Sequence, residues 1–194
     1  MSRLFDIYDE MQRAVSAVTG RHLAAMERLG CTAPAIAAIG AKQAPFGVMR
    51  CDMRGKQFFE PTSEPYGIDA VIMPVMDEGE IVDLIAWRTL APSALRWRNG
   101  DGWVLGIDAI QEPPLWDGFR EITLHATPLD WIRNGGNGAV ILDWSAVSQI
   151  RKLALFDIIR CDHPNVHQQL SAILSQPERK PKILGTEVKH GRAA

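Results

Sequence analysis

The chain has 194 residues, 46% of them hydrophobic and 23% charged, and a formal net charge of −2 at pH 7. That length supports one full core, or a main domain with a small addition. The composition excludes a disordered or fibrous chain, and so small a net charge excludes a global pull toward nucleic acid or membrane.

The charge is unevenly spread. Residues 67–130 hold 4 Lys/Arg against 11 Asp/Glu, while residues 131–194 hold 9 against 5. A basic end permits a local basic surface, although solvated faces of opposite sign account for the same counts. Cys31, Cys51 and Cys161 are far apart and odd in number, which argues against a disulfide framework and suits a reducing compartment. Asp6, Asp9 and Glu10 stand where a signal peptide needs its apolar segment, and no apolar run approaches the roughly 18 residues of a membrane span. The expectation is a cytoplasmic protein with no membrane partner.

Residues 1–66 read as a helical segment followed by a small hairpin. Leu4, Tyr8, Met11, Val15 and Val18 recur at spacings of four and three, which predicts a helix over 3–18 with these residues on one face. Gly20 is read as its stop. A second helix over 21–29 turns Leu23, Met26 and Leu29 inward, and Thr32 caps a short third helix running through Pro34 to Gly40. His22 reads as a surface or partly buried side chain. Residues 46–53 and 56–60 read as strands around Arg54-Gly55.

Residues 67–118 read as an antiparallel meander. Two apolar runs between Ala70 and Arg88 flank Asp77-Glu78-Gly79-Glu80, the pattern of a hairpin with a four-residue loop. Val71, Ile72, Val75, Ile81, Val82, Ile85 and Trp87 suit strands because β-branched and aromatic side chains pack well on a pleated surface. Both faces of this pair are largely apolar, so each must be covered. Residues 95–98 and 103–105 read as a further hairpin around Asn99-Gly100-Asp101-Gly102, with Leu95 and Trp97 on one face and Arg96 and Arg98 on the other. Trp87, Trp97, Trp103 and Trp116 are close enough in sequence to form one aromatic cluster. Beside Arg96 and Arg98 it would make a stacking surface for bases; a core with a solvated edge is the plainer reading.

Residues 119–176 alternate. Strands over 121–126, 139–144 and 157–161 are followed by helices over 128–134, 145–156 and 165–174, with Thr127 as a cap and Gly135-Gly136-Asn137-Gly138 as a turn. The order β-α-β-α-β-α predicts a parallel sheet with right-handed crossovers. Residues 177–194 read as a loose basic tail. The fold class expected is α+β: N-terminal helices, a central meander and a C-terminal β-α-β-α-β-α layer, in one compact unit.

In open parallel sheets ligands bind beyond the carboxyl ends of the strands. His125, Asp143, Asp162 and His163 lie at such ends and are the candidate catalytic residues. The plainer reading is that the aspartates cap the elements that follow and the histidines satisfy local backbone groups. Cys161, His163 and His167 offer C-x-H-x3-H, but a structural zinc site needs a fourth ligand that no second cluster supplies. Gly135-Gly136-Asn137-Gly138 precedes a strand, whereas a phosphate cradle precedes a helix. No P-loop and no Gly-x-Ser-x-Gly occurs. No metal or other cofactor is expected.

From Ala70 to Thr89, and again from Glu121 to Leu174 with Gly138-Ala139-Val140-Ile141-Leu142 in the place of a second strand, the chain resembles the Toprim-type primases of phages and mobile elements. That family carries a Glu at the end of its first strand and Asp-x-Asp after a later one, and these carboxylates hold magnesium. Here the positions read His125-Ala126-Thr127 and Asp162-His163-Pro164. The resemblance therefore implies a degenerate, non-catalytic relative. The leading expectation is a non-enzymatic accessory protein, linked to nucleic-acid metabolism, whose partner is another protein or single-stranded nucleic acid. Arg96, Arg98, Arg151 and Lys152 are the candidate nucleic-acid contacts. Two alternatives stand beside it. One is a small hydrolase-type enzyme using the His/Asp set; the other is a self-associating module with the 4–18 face as its seam.

Overall fold

The computed structural model describes residues 2–53, 57–113, 115, 116 and 118–176. Three helices come first: α1 (Ser2–Ser16), α2 (Gly20–Arg28) and α3 (Ala33–Gly40). Thr32 caps α3 by accepting the amide of Ala35. Gly20 opens α2 and does not close α1. Just before it the Thr19 amide donates to His22 Nδ1, so His22 belongs to this cap.

The centre is a five-stranded antiparallel sheet in the order β2-β1-β3-β4-β5. Its strands are β1 (Gly47–Asp52), β2 (Glu60–Pro61), β3 (Ile68–Asp77), β4 (Glu80–Arg88) and β5 (Ala91–Trp97). β1 pairs with β2 as expected, though the partner strand begins later than residue 56 and the Arg54-Gly55 turn lies outside the described residues. β3 and β4 form the hairpin the apolar runs predict. Its connection is tighter than four residues: Asp77 pairs with Glu80, leaving Glu78 at φ 48° and Gly79 at φ 82°. Two successive positive φ values make a turn whose twist matches that of the flanking strands.

Both faces of this sheet are covered. On one, Ile7, Met11 and Ala14 of α1 pack on Cys51, Ala70, Ile72, Leu84 and Ala86. Gly47 permits the approach, because a Cβ there would stand 2.6 Å from the Ala14 side chain. The inward stripe of α1 is thus rotated from the one its spacing suggests: Met11 is buried, but Tyr8 is 56% exposed. On the other face Val71, Met73, Val75, Ile85 and Trp87 meet Met26, Ile39, Phe46, Leu129, Trp131 and Ile132. Burying each large side chain contributes roughly 1.5–3 kcal/mol, so this two-sided stack is the main source of stability. Leu23, expected inward, is exposed.

The hairpin expected over 95–105 does not form. β6 (Val104–Leu105) leaves β5 and pairs antiparallel with β9 (Val140–Ile141). The tryptophans divide accordingly: Trp87 and Trp97 join the core beside the central sheet, while Trp103 packs on a second core.

That second core belongs to the mixed β/α C-terminal region. After the short α4 (Asp108–Gln111), β7 (Leu115–Trp116) turns into β8 (Phe119–Leu124). Then come α5 (Pro128–Arg133), β9, α6 (Val147–Ile150), a 3-10 turn over Arg151–Leu155, β10 (Ile158–Cys161) and α7 (Pro164–Leu174). β10 runs parallel to β8, with Ile158 opposite Glu121 and Cys161 opposite Leu124. On the other side of β8, Ala139 makes a parallel bridge to Leu124. The expected alternation holds, but β9 is only two residues long and takes its full pairing from β6, so the layer is mixed and not purely parallel. Ile122, Leu124, Ile150, Leu153, Val166 and Leu170 fill its interior. No helix among the described residues is long and apolar enough to cross a membrane.

Candidate functional site

Three polar side chains are buried among the described residues: Glu10, Asp83 and His125. A buried polar group is costly unless it is hydrogen-bonded, so its partners reveal what a fold protects.

His125 follows the end of β8 and is 4% exposed. Its amide donates to the Ala139 carbonyl, which fixes the backbone at 2.8 Å. Its Nδ1 lies 2.9 Å from Asp162 Oδ2, just beyond β10. Its Nε2 lies 2.9 Å from the Asn137 carbonyl oxygen. The second oxygen of Asp162 accepts the Ala126 amide, and the Asp162 amide donates to Leu124. Both ring nitrogens are therefore engaged, one by a side-chain carboxyl and one by a backbone carbonyl. Gly138 makes room for it: a Cβ there would stand 2.2 Å from the Thr123 oxygen and 3.2 Å from His125 Nε2. The imidazole is a tie across the ends of three chain segments.

The remaining candidates turn to local tasks. Asp143 Oδ1 accepts both the amide and the hydroxyl of Ser145, closing a tight turn. His163 caps α7, with Nδ1 accepting the Asn165 amide. So the four residues expected at the strand ends separate into one bonded pair, His125–Asp162, one turn residue, Asp143, and one helix cap, His163. Among the described residues no group of three or more His, Cys, Asp and Glu is arranged to hold a metal ion. Magnesium wants a shell of oxygen ligands, and here one carboxylate is already committed and its neighbour is a nitrogen donor. The donor set does not fit that ion.

The arginines expected to meet nucleic acid are also engaged. Arg98 forms a two-pronged ion pair with Glu10 of α1, at 2.9 and 3.1 Å. Arg96 Nη1 donates to the Leu95 carbonyl at 2.7 Å. Arg151 Nη2 donates to the Gln176 carbonyl at 3.2 Å, and Lys152 is exposed beside it. The two pairs lie on different parts of the fold, one at the edge of the central sheet and the other before β10.

Asp83 was not foreseen. It sits in β4 between Val82 and Leu84 and is fully buried. Oδ1 accepts the amides of Leu84 and Asn99; Oδ2 accepts those of Gly100, Asp101 and Gly102. Successive amides pointing inward make an anion-binding concavity, and the chain fills it with its own carboxylate. This is why Asn99–Gly102 wraps instead of making a hairpin. An acid inside an otherwise apolar strand was the available signal.

Beside the His125 tie lies a cleft of about 430 Å³. Its lining includes Ile39, Met76, Ile107 and Trp131, with Gly106, Gly136 and Gly138. Lys42, Gln43, Asp108 and Glu112 also line it. Gln43 Nε2 is buried and has no hydrogen-bond partner.

Scans against protein-family models, curated proteins and solved structures each returned no match for this chain.

Proposed function

We propose that this chain is a non-catalytic binding protein built on a degenerate Toprim-like layer, serving nucleic-acid metabolism in a prophage or mobile element. The supporting observation is the His125–Asp162 contact. It stands at the two strand ends where that family keeps its metal-binding carboxylates. The buried imidazole meets one oxygen of Asp162 from within the chain, while the Ala126 amide donates to the other. A fold that once gathered strand ends around a cation is then held by a side chain. Its partner is single-stranded nucleic acid or a protein met through the basic C-terminal part, with Arg151 and Lys152 as contacts.

Filter binding of the full chain to a single-stranded oligonucleotide at low and at high salt tests the nucleic-acid version. Phosphate contacts are strongest at low salt, so retention there that falls as salt rises supports it. No retention at low salt rejects it.

The hydrolase reading keeps one point in its favour, since a histidine oriented by an aspartate is the usual build of a general base. The nitrogen that such a base must present is Nε2, and here it faces the Asn137 carbonyl on a ring 4% exposed. Turnover of acyl, phosphoryl or glycosyl reporter substrates that vanishes in His125→Gln would favour it.

A further inference from the structure

We infer that the open groove between the end of α1 and the loop after β2 is a binding site for a small phosphomonoester with an apolar body. The inference is independent of the proposed function, whose contacts, Arg151 and Lys152, do not line this groove.

Arg50, on β1, is held in place by the chain that follows β2. Its Nε donates to the Glu64 carbonyl at 3.2 Å and its Nη2 to the Pro65 carbonyl at 2.8 Å. The Thr62 amide donates back to the Arg50 carbonyl at 2.9 Å. Gly67 leaves space for the stem, since a Cβ there would stand 2.8 Å from Arg50 Cγ. A guanidinium carries several N–H donors in a fixed fork, and these two bonds do not exhaust them. Nη1 lies 3.9 Å from Asp69 Oδ1, beyond hydrogen-bond reach, and the side chain is 44% exposed. A planar, half-exposed fork whose orientation is already set matches the geometry of a phosphate group.

Three further polar side chains line the same groove. Arg13 is exposed, and among the described residues its guanidinium has no hydrogen bond or ion pair. Thr62 Oγ1 accepts the Glu64 amide at 3.1 Å and keeps its own proton to donate, and Ser63 adds a second hydroxyl. Two cations attract a dianion more strongly than a monoanion, which favours a phosphomonoester over the diester of a nucleic-acid backbone. Asp69 is the competing carboxylate at Arg50. Its side chain is 69% exposed, so their pairing is weak and yields to a bound phosphate. The rest of the lining is Ala14, Ala17, Val48, Met49 and Pro61, an apolar surface for the organic part of the ligand. The groove encloses about 540 Å³, within the usual range of small-molecule sites.

The test is calorimetric titration of the full chain with phenyl phosphate at fixed salt and about pH 7.5, where the monoester is a dianion. The expected result is saturable binding. Inorganic phosphate lacks the apolar body, and methyl phenyl phosphate is a diester with one charge; each should bind about tenfold more weakly. Arg13→Gln, a change at an exposed position, should fold and weaken phenyl phosphate about tenfold. Asp69→Asn should act in the opposite sense and tighten it severalfold, because the competing charge is gone. Arg50→Lys keeps the charge but loses the fork, and should weaken binding as Arg13→Gln does. Lys42→Ala, outside the groove, should leave binding unchanged. The inference is overturned by an absence of saturable heat, by equal binding of phenyl phosphate and either comparison ligand, or by unchanged binding in both Arg13→Gln and Asp69→Asn. It is also overturned if Lys42→Ala costs as much as Arg13→Gln, which would mark diffuse attraction by charge and not a site.

Discussion

Asp83 Oδ2 accepts the amide of Gly100 at 2.8 Å from a position seventeen residues earlier in the chain. Together with the amides of Asn99, Asp101 and Gly102 this contact sets the path of the chain between β5 and β6. Replacing Asp83 by Leu leaves several inward-pointing amides without an acceptor. Each such group costs roughly 1–3 kcal/mol, and partial solvation of the loop limits the sum to about 3–5 kcal/mol. Urea unfolding should show a lower midpoint with little change in slope. A loss under about 1 kcal/mol would mean that the loop has its own reasons for its shape.

The His125–Asp162 tie is measurable as a coupling. His125→Phe and Asp162→Asn should each destabilise, the first by removing the ring that ties three chain segments and the second by weakening the contact to the buried Nδ1. The double variant should lose less than the sum, with an interaction of about 1–3 kcal/mol, as expected for residues in direct contact. Strict additivity would show that the pair contributes nothing as a pair.

Arg98 and Glu10 join β5's end to α1 across the covered face of the sheet. Arg98→Met leaves the Glu10 carboxylate buried and unpaired, at a cost of roughly 3 kcal/mol or more. Glu10→Gln in the same background should restore part of that loss. If oligonucleotide retention is seen, Lys152→Ala should reduce it and its salt dependence, while Arg98→Met combined with Glu10→Gln should leave both unchanged.

Cys51 is fully buried against α1, and burial pushes its thiol from about 9 up to about 12, with Glu10 adding to the rise. The folded state therefore holds this proton more tightly than the unfolded chain. The resulting stability is complete below about pH 9 and is lost as pH rises from 9 toward 12, at up to roughly 1.4 kcal/mol per pH unit. In Cys51→Ala that alkaline decline should be shallower. At neutral pH a thiol reagent should reach Cys51 only on unfolding, since the reactive species is the thiolate.

Much of this architecture could be read from local pattern. The β3–β4 pair, the Thr32 and Thr127 caps and the strand-helix order after Phe119 all follow from residue type at short range. What could not be read depends on distant partners. Tyr8 and Ile7 fit a helix equally well, and only the position of Gly47 on β1 decides which turns inward. Asn99–Gly102 has the composition of a hairpin turn, and a single carboxylate on a neighbouring strand overrides it. At the candidate site, strand ends placed His125 and Asp162 together correctly. Asp143 and His163 had the same credentials but met nearer donors first. Gln43 carried no signal at all, because an unpartnered amide becomes visible only once its surroundings are built.

Pro74 stands within β3, a central strand, where a residue without an amide hydrogen is unusual. Its partner Leu84 gives its carbonyl to Arg98 on the far side, so the Pro74–Leu84 position needs no ladder bond. The ring nitrogen therefore faces the flank where β1 has already ended, opposite Ile72. Pro74 is itself buried, so that flank is covered within the folded chain, and a residue without an amide hydrogen leaves no donor there to be satisfied. A proline in the middle of a sheet thus costs this fold no orphaned hydrogen-bonding group.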